Sequence, residues 1–462
     1  MGAKIIATLG PALRDREPFL GVLEAGADIL RLNLSHTAPE EMAFWQSRLL
    51  ETGRNLLELP PLLLDTAGPE LRVEVAGKAE LRTGERWQVV ARGAPSPGVI
   101  LLPDLPLWQW VAPNQQVLLH DGRILAWVEA AEEGRVTLFI EEGGVLSSGQ
   151  KMVLPGVPLP LPLLTERDRQ SLLLGQEVGA AFVALSFVQR GKDIDEVRRD
   201  LAGRGYRPWL IAKLESRVAV ENREEIWEAA DGVMVARGDL GVEIPPEELP
   251  LLQKALVKEG LAKGKPVIIA TEMLESMTSQ NRPTRAEAAD VANAILDGAD
   301  AVMLSEETAV GQHPVEAVTT MKRIAARASQ AVAVGGKEGG RREDVTAAVC
   351  RASVEAALQL KAAAIVTPTE SGYTARMVAA RRPPVPILAP TPHPETLKKL
   401  KLVWGVVPFL MPPAGNTDEL LVKSMEAAVA QGLLQRGQQV IITAGWPPGS
   451  PGTTNLLKVH TV

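Results

Sequence analysis

Short apolar, β-branched runs alternate with helical stretches along the chain before residue 310, and this alternation limits the possible folds more than any other feature. Eight runs recur, at residues 4–8, 29–34, 62–65, 182–187, 210–214, 233–236, 267–270 and 301–304. Between them lie amphipathic segments such as 194–201, 218–230, 247–262 and 285–296, several closed by the glycine expected at a helix C-terminus. Eight strand-then-helix units is the count of a closed (β/α)8 TIM barrel. A doubly wound open sheet is the alternative.

The third and fourth runs are separated by a stretch of different character, from Ala67 to Pro155-Gly156. Alternating segments at 71–75 and 135–140 sit beside the turn signals Asp121-Gly122 and Glu133-Gly134, which reads as an inserted all-β domain. Both its ends would leave the active face of a barrel, so it is placed as a lid. A polar, glycine-rich connector at 335–342 marks a boundary. Beyond it, helices at 346–360 and 374–382 alternate with strands at 363–367, 385–388, 440–443 and 456–459, a small α/β domain. The expected division is barrel 1–66 and 155–335, lid 67–154, and C-terminal α/β domain 336–462, to which an effector role is given below.

Composition removes several classes of function. The 462 residues suit about three domains, and 46% apolar content excludes a disordered chain. A net charge of −7 argues against nucleic-acid binding. One cysteine, Cys350, excludes a disulfide framework and a cysteine zinc site, and suits a reducing, cytoplasmic compartment. It sits in an apolar helical pattern and reads as a core thiol. No signal-type N-terminus and no run of the ~18 apolar residues of a membrane span occurs, so no membrane is expected. Thirty-five prolines would stiffen loops and suit a heat-stable protein. There is no G-x-x-x-x-G-K-[ST], so a nucleotide would be held without a P-loop.

The polar residues that interrupt the apolar runs gather at strand C-terminal ends, the active face of a barrel. Arg31, Asn33 and Ser35 alternate at the end of run two and so share one side. Run three ends in Asp65-Thr66, run five in Lys213-Leu214-Glu215, run six in Arg237-Gly238-Asp239, run seven in Thr271-Glu272 and run eight in Ser305-Glu306-Glu307-Thr308. Glu215 and Asp239, on adjacent strands, would bring two carboxylates together, which is costly without a cation between them, and Mg2+ takes one or two carboxylates. Lys213 and Arg31 would carry positive charge toward an anion held by the metal, pointing to phosphoryl transfer or enolate chemistry. Asn33, Ser35, Asp65 and Thr66 offer oxygens with one formal charge, suited to a monovalent cation. Each residue alone has a plainer reading: a surface ion pair for Lys213 and Glu215, a turn for Asp239, a solubilising charge for Arg31, a cap for Thr271. Recurrence at the same strand end favours the joint reading. His36 and His120 lack a partner histidine at ligand spacing and are read as structural.

These residues resemble the pyruvate kinases over most of the chain. The resemblance is carried by KIIATLGP at 4–11, RLNLSH at 31–36, DTAGPELR at 65–72, DGVMVARGDLGVEIP at 231–245, TEMLESM at 271–277, RPTRAEAADVANAILDGAD at 282–300 and residues 452–462. It implies a barrel, a β lid after strand three, a C-terminal α/β regulatory domain and a homotetramer. It further implies phosphoenolpyruvate and ADP as substrates, giving pyruvate and ATP in glycolysis, with Mg2+ or Mn2+ on Glu215 and Asp239. Potassium falls to Asn33, Ser35, Asp65 and Thr66. Arg31, Lys213, Gly238, Asp239 and Thr271 are placed at phosphoenolpyruvate, and Asn33, Leu34, Ser35, His36 and Arg72 at the nucleotide. Lys213 stabilises charge in the transition state, and Thr271 is a candidate in the proton relay, ahead of Ser305. Glu70 after Gly68-Pro69 implies potassium dependence.

The chain departs from the family pattern at Ala67, Glu272, Glu306 and Gly149-Gln150-Lys151-Met152-Val153, changes expected to leave the nucleotide side poorer in cations. In the last domain Thr369, Ser371, Gly372 and Thr374 precede a helix carrying Arg376, which suits a phosphorylated allosteric effector at a helix N-terminus, with residues 445–452 as the facing loop. A helix cap without a ligand is the alternative. Two rival functions stand: a barrel lyase acting on phosphoenolpyruvate or a 2-oxo acid through a metal enolate, and a non-catalytic binder.

Overall fold

The structure is a computed structural model that describes residues 2–53, 57–103, 105–332, 344–446 and 453–462. Among these residues eight parallel strands close a barrel: β1 (Lys4–Thr8), β2 (Ile29–Asn33), β3 (Leu62–Asp65), β4 (Phe182–Leu185), β5 (Trp209–Leu214), β6 (Gly232–Ala236), β7 (Val267–Ala270) and β8 (Ala301–Leu304). The order around the ring is sequential, with β8 pairing back onto β1. The open-sheet alternative is thereby removed.

Every barrel strand is buried on both faces, and residue parity decides which core each side chain joins. Ile6, Ile29, Leu63, Ala184, Ile211, Met234, Ile268 and Met303 form the inner core. Ile5, Leu30, Leu32, Leu64, Val183, Val233 and Val302 pack outward against the helices. Counting on by two from the inner set reaches Thr8, Arg31, Asn33, Asp65, Ser186, Lys213 and Glu215. The side chains carrying charge therefore share the barrel axis with the inner core.

The lid leaves after β3. Among the described residues its main sheet runs in the order Met152–Val153, Gln116–Leu119, Ile124–Glu132, Arg135–Glu142, Arg86–Val90 and Val99–Leu101, with Gly144–Ser147 pairing separately with Lys78–Leu81. The segment expected as a strand at 71–75 is not one. It makes isolated bridges, Arg72 to Lys151 and Glu74 to Leu101, beside the two edge strands of the main lid sheet. At the exit Gly68 has φ +69°, and a Cβ there would meet the Ser186 Cβ at 2.9 Å, so the turn requires glycine.

Both ends of the lid are tied by one buried side chain. Asp168 is the third residue of the helix Glu166–Glu177 and accepts from Thr165 N (3.0 Å) and Thr165 Oγ1 (2.7 Å) in a capping box. The same carboxylate accepts from Ala67 N (2.8 Å) and Gly68 N (3.2 Å), a hundred residues earlier. Asp168→Ala should therefore strand two amides and lose a cap together, destabilising the protein by about 2–4 kcal/mol. Thermal unfolding checks this, and an unchanged midpoint would contradict it.

The C-terminal sheet, among the described residues, runs Val406–Leu410, Ile387–Thr391, Ala364–Val366, Gln439–Ala444, Leu456–Thr461, the last strand antiparallel. It docks at the N-terminal ends of the barrel strands, away from the charged mouth. Asp300, just before β8, accepts from Trp404 N (3.1 Å) and Arg382 Nη2 (3.0 Å), while Lys4 Nζ donates to Val406 O (2.9 Å). Cys350 is buried in the helix Val345–Gln359. Other boundaries move. The segment 218–230 is two helices, Arg217–Glu221 and Arg223–Ala229, broken at Asn222, whose side chain donates to Gln189 O. Run four stops at Leu185, since Phe187 takes φ +56° to turn its N–H inward. The strand Val406–Leu410 and the helices Pro394–Leu400 and Thr417–Ala430 lie in a stretch where the sequence reading placed no element. The connector at 335–342 lies outside the described residues. Among the described residues no helix is long and apolar enough to cross a membrane.

Candidate active site

A cavity of about 620 Å³ opens at the C-terminal ends of the barrel strands, beneath the lid. Arg31, Asn33, Ser35, His36, Asp65, Thr66, Arg72, Lys213, Glu215, Asp239, Thr271 and Ser305 all line it. Parallel strand pairing sets the neighbours: Thr8 lies beside Arg31 and Asn33 beside Asp65.

Asp65 is the hub. Its Oδ2 accepts from Arg31 Nε at 2.7 Å, and its Oδ1 lies 3.1 Å from Lys213 Nζ. Arg31 Nη1 also donates to Thr8 Oγ1 (3.0 Å). Burial alone would raise the Asp65 pKa, but Lys213 and Arg31 outweigh it and hold the carboxyl below its ordinary value. Lys213 Nζ lies 2.6 Å from Glu215 Oε1 and donates to Ser186 Oγ at 2.7 Å. Burial disfavours its charge, yet Asp65 and Glu215 more than compensate and raise its pKa. The ammonium is thus held in its charged form on the cavity wall.

Glu215 behaves differently. Burial, with Asp239 adding repulsion, outweighs Lys213 and the Phe187 N–H (2.7 Å to Oε2) and pushes its pKa up to about 7. Its Oε1 is buried without a hydrogen bond of acceptable angle, although Lys213 Nζ is within ion-pair distance. A buried carboxylate oxygen that is not hydrogen-bonded, facing a second carboxylate across a cavity, fits a divalent cation that takes its remaining ligands from substrate and water. Among the described residues no three His, Cys, Asp or Glu converge, so the protein would supply the pair alone.

Asp239 is half-buried, and its Oδ1 lies 3.1 Å from Lys151 Nζ, which reaches down from the lid and also contacts Glu70 Oε1 at 2.6 Å. The expectation that residues 149–153 leave this side poorer in cations does not hold for Lys151, because the lid strand turns its ammonium into the cavity. Glu70 also pairs with Arg72, which donates to Gly149 O. Ala67 and Glu306 line the cavity. Glu272 is exposed on the rim.

Of the oxygen-rich set, Asn33 Oδ1 accepts from Ser35 N (3.1 Å), and Thr66 Oγ1 from Ser186 N (3.0 Å). Each Asp65 oxygen already faces one cation, Arg31 or Lys213, so a potassium ion held by this set would share the carboxylate with them. Leu34 is not brought into the cavity. Its parity buries the side chain on the helix side, and its N–H donates to Asp65 O. Gly238 stands behind Thr271, donating its N–H to Thr271 Oγ1 at 2.8 Å. Sequence reasoning passed over Ser186 and Thr8, although the strand-end rule that selects Arg31 and Lys213 applies equally to them. Lys151 and Asp168 carry no such signal.

In the C-terminal domain Thr369 Oγ1 accepts from Gly372 N (2.9 Å), and Thr374 Oγ1 meets Thr454 Oγ1 at 2.9 Å. Arg376 needs correction. It does not face this loop but stacks over Trp209, 5.3 Å from the ring centroid, and reaches Gly264 O at the barrel floor. Its position in the helix Tyr373–Ala379 points it at the barrel, because that helix packs between the two domains. Ser371 is exposed, beside a Glu370–His393 pair. Residues 447–452 of the facing loop lie outside the described residues.

A β/α barrel with two buried cations, an acidic pair and an overhanging lid at its C-terminal mouth is a barrel enzyme built to handle a small anion. A family model described as pyruvate kinase, barrel domain, matches residues 2–318, and one described as pyruvate kinase, alpha/beta domain, matches 347–460. Proteins named pyruvate kinase are similar along the whole chain. One from Geobacillus stearothermophilus is 44% identical, covering 99% of this chain and 80% of the relative. One from Sporosarcina psychrophila is 41% identical over the same shares, and one from Clostridium acetobutylicum is 38% identical over 99% of each. The chain belongs to the pyruvate kinase family, a family of phosphotransferases.

Proposed function

We propose that this cavity transfers the phosphoryl group of phosphoenolpyruvate to ADP, giving pyruvate and ATP. The observation that carries this is the buried Lys213 ammonium, held charged between Asp65 and Glu215 and facing the same cavity as Arg31. Arg31 and Lys213 bind the phosphate and carboxylate oxygens of the substrate. Asn33, Ser35, His36 and Arg72 border the approach of the nucleotide, with its terminal phosphate oxygen in line with the phosphorus. The P–O bond to the enol oxygen breaks as the bond to the ADP oxygen forms, and Lys213 meets the negative charge left on the enolate. Thr271 relays a proton: a water held by its hydroxyl protonates the methylene carbon, the hydroxyl passes its own proton to that water and regains one from solvent, completing pyruvate. A divalent cation on Glu215 and Asp239 would neutralise phosphoryl oxygens when bound.

A coupled assay for pyruvate tests this. Product should form with ADP and not without it; ADP-independent pyruvate would indicate a lyase, and no pyruvate at all a binder. Potassium on Asn33, Ser35, Asp65 and Thr66 belongs to the same reading. In buffer whose only monovalent cation is organic, turnover should fall by about a hundredfold, the scale of losing one fixed positive charge at the transition state. Equal rates with and without potassium would remove that assignment. The reading further includes the domain division 1–66, 67–154, 155–335 and 336–462, a homotetramer in the cytoplasm, and a phosphorylated effector at Thr369, Ser371, Gly372 and Thr374.

A further inference from the structure

After β7 the chain does something expensive. Thr271 and Glu272 are consecutive and neither is glycine, yet both adopt left-handed backbone angles, φ +66° and +54°. A β-branched residue there is a marked outlier, and each such residue costs about 1–3 kcal/mol. The bend turns both carbonyls out of the barrel ladder, and one side chain receives them. Arg237, on the neighbouring strand's end, donates from Nη2 to Thr271 O (2.7 Å) and Glu272 O (2.9 Å) and from Nε to Thr271 O (3.3 Å). Its Nη1 is anchored by Asp290 Oδ2 at 2.6 Å, from the helix Arg285–Asp297. Arg237 is buried and does not line the cavity.

The same short segment grips the other end of the residue, since the N–H of Gly238 is given to Thr271 Oγ1. That hydroxyl in turn donates to Ala270 O at 2.6 Å. Arg237-Gly238 therefore sets both where the Thr271 backbone bends and where its hydroxyl lies. A planar fork meets two carbonyls and a carboxylate in fixed directions, whereas an ammonium, with three donors on a flexible stem, holds them less firmly. A turn needed only for chain reversal could use glycine at no strain. The strain buys a hydroxyl held across from one strand to the next.

We infer that Arg237 is a positioning residue for proton delivery: by bracing the strained Thr271-Glu272 turn against Asp290 it keeps the Thr271 hydroxyl where it can pass a proton to the enolate, without touching substrate itself. This rests on the role given to Thr271 under Proposed function.

The test separates proton handling from substrate binding. Deuterium wash-in to the pyruvate methyl group is followed by NMR in D2O with ATP, Mg2+ and K+, beside steady-state phosphoryl transfer. T271A should slow wash-in by about 10²-fold, the ordinary worth of a positioned acid–base group. R237Q should slow it by about tenfold or more, and R237K by less, because the charge survives while the fork is lost. D290N should give a smaller loss in the same direction. The phosphoenolpyruvate KM should stay within about threefold in the Arg237 and Asp290 variants, neither residue lining the cavity. Because Arg237 acts through Thr271, the double variant R237Q/T271A should be no slower than T271A within about twofold. If R237Q does not fold, R237K and D290N carry the comparison. Wild-type wash-in in the Arg237 variants beside slow T271A overturns the inference alone, as does a double variant slower by the product of the single effects. Wild-type wash-in in T271A overturns both the inference and the Thr271 role.

Discussion

Lys213→Met is expected to lower turnover by about a thousandfold while raising the phosphoenolpyruvate KM only a few-fold, since Arg31 still holds the substrate anion and the charge that Lys213 meets grows mainly as the P–O bond breaks. The structure adds a second consequence. Lys213 lies between Asp65 (3.1 Å) and Glu215 (2.6 Å), all three buried. Removing Lys213 leaves Glu215 without its buried cation and Asp65 with Arg31 alone, at a cost of up to about 3–5 kcal/mol. The metal-free variant should therefore unfold at markedly lower temperature, and Mg2+ should restore part of the loss by supplying positive charge at the same place. A coupled assay, quenching of tryptophan fluorescence by phosphoenolpyruvate, and thermal unfolding with and without Mg2+ measure these effects. A variant that lost substrate binding but kept turnover at saturation would contradict the role assigned to Lys213.

Glu215→Gln should weaken divalent metal binding by at least about 10²-fold, the upper range for groups that merely support a ligand, and reduce turnover in parallel. Titration of Mn2+ followed by paramagnetic resonance reads the affinity without reference to catalysis. In the unmodified protein, metal affinity should rise with pH through about 7 and level off above it, because a cation must displace the proton that burial and Asp239 keep on Glu215. The stability of the metal-free protein should move the opposite way. A carboxyl whose folded pKa is raised binds its proton more tightly folded than unfolded, so its contribution falls as pH climbs from about 4.5 toward 7. Metal affinity flat between pH 6 and 8 would contradict the raised Glu215 pKa, and unchanged Mn2+ affinity in Glu215→Gln would remove the residue from the metal site.

How far the sequence reaches is visible residue by residue. Arg31, Asp65, Lys213 and Glu215 were legible because a strand alternates strictly: once Ile29, Leu63 and Ile211 face the barrel axis, so do the charged residues two and four places on. The same rule reaches Ser186 and Thr8. Leu34 shows it in reverse, since odd spacing from Arg31 sends it outward. Nothing comparable marks Lys151, whose neighbours are Glu70 and Asp239 only because the lid folds back across the mouth. Arg376 reads locally as a charge one turn into a helix beside a threonine-rich loop, and it turns instead to Trp209.

Local pattern alone therefore marked the eight strand-and-helix units, the inserted β stretch, much of the trailing α/β domain and the charged inventory at the strand ends, because periodicity and strand ends are short-range properties; closure of the eight strands into a ring was fixed by their pairing in space. Tertiary structure alone decided which groups share protons and charge: Asp168 closing the lid's two ends, Lys151 on Asp239, Arg237 beneath Thr271. Those contacts join residues from about thirty to a hundred positions apart. Their energy depends on distance and burial in space, which no spacing along the chain encodes.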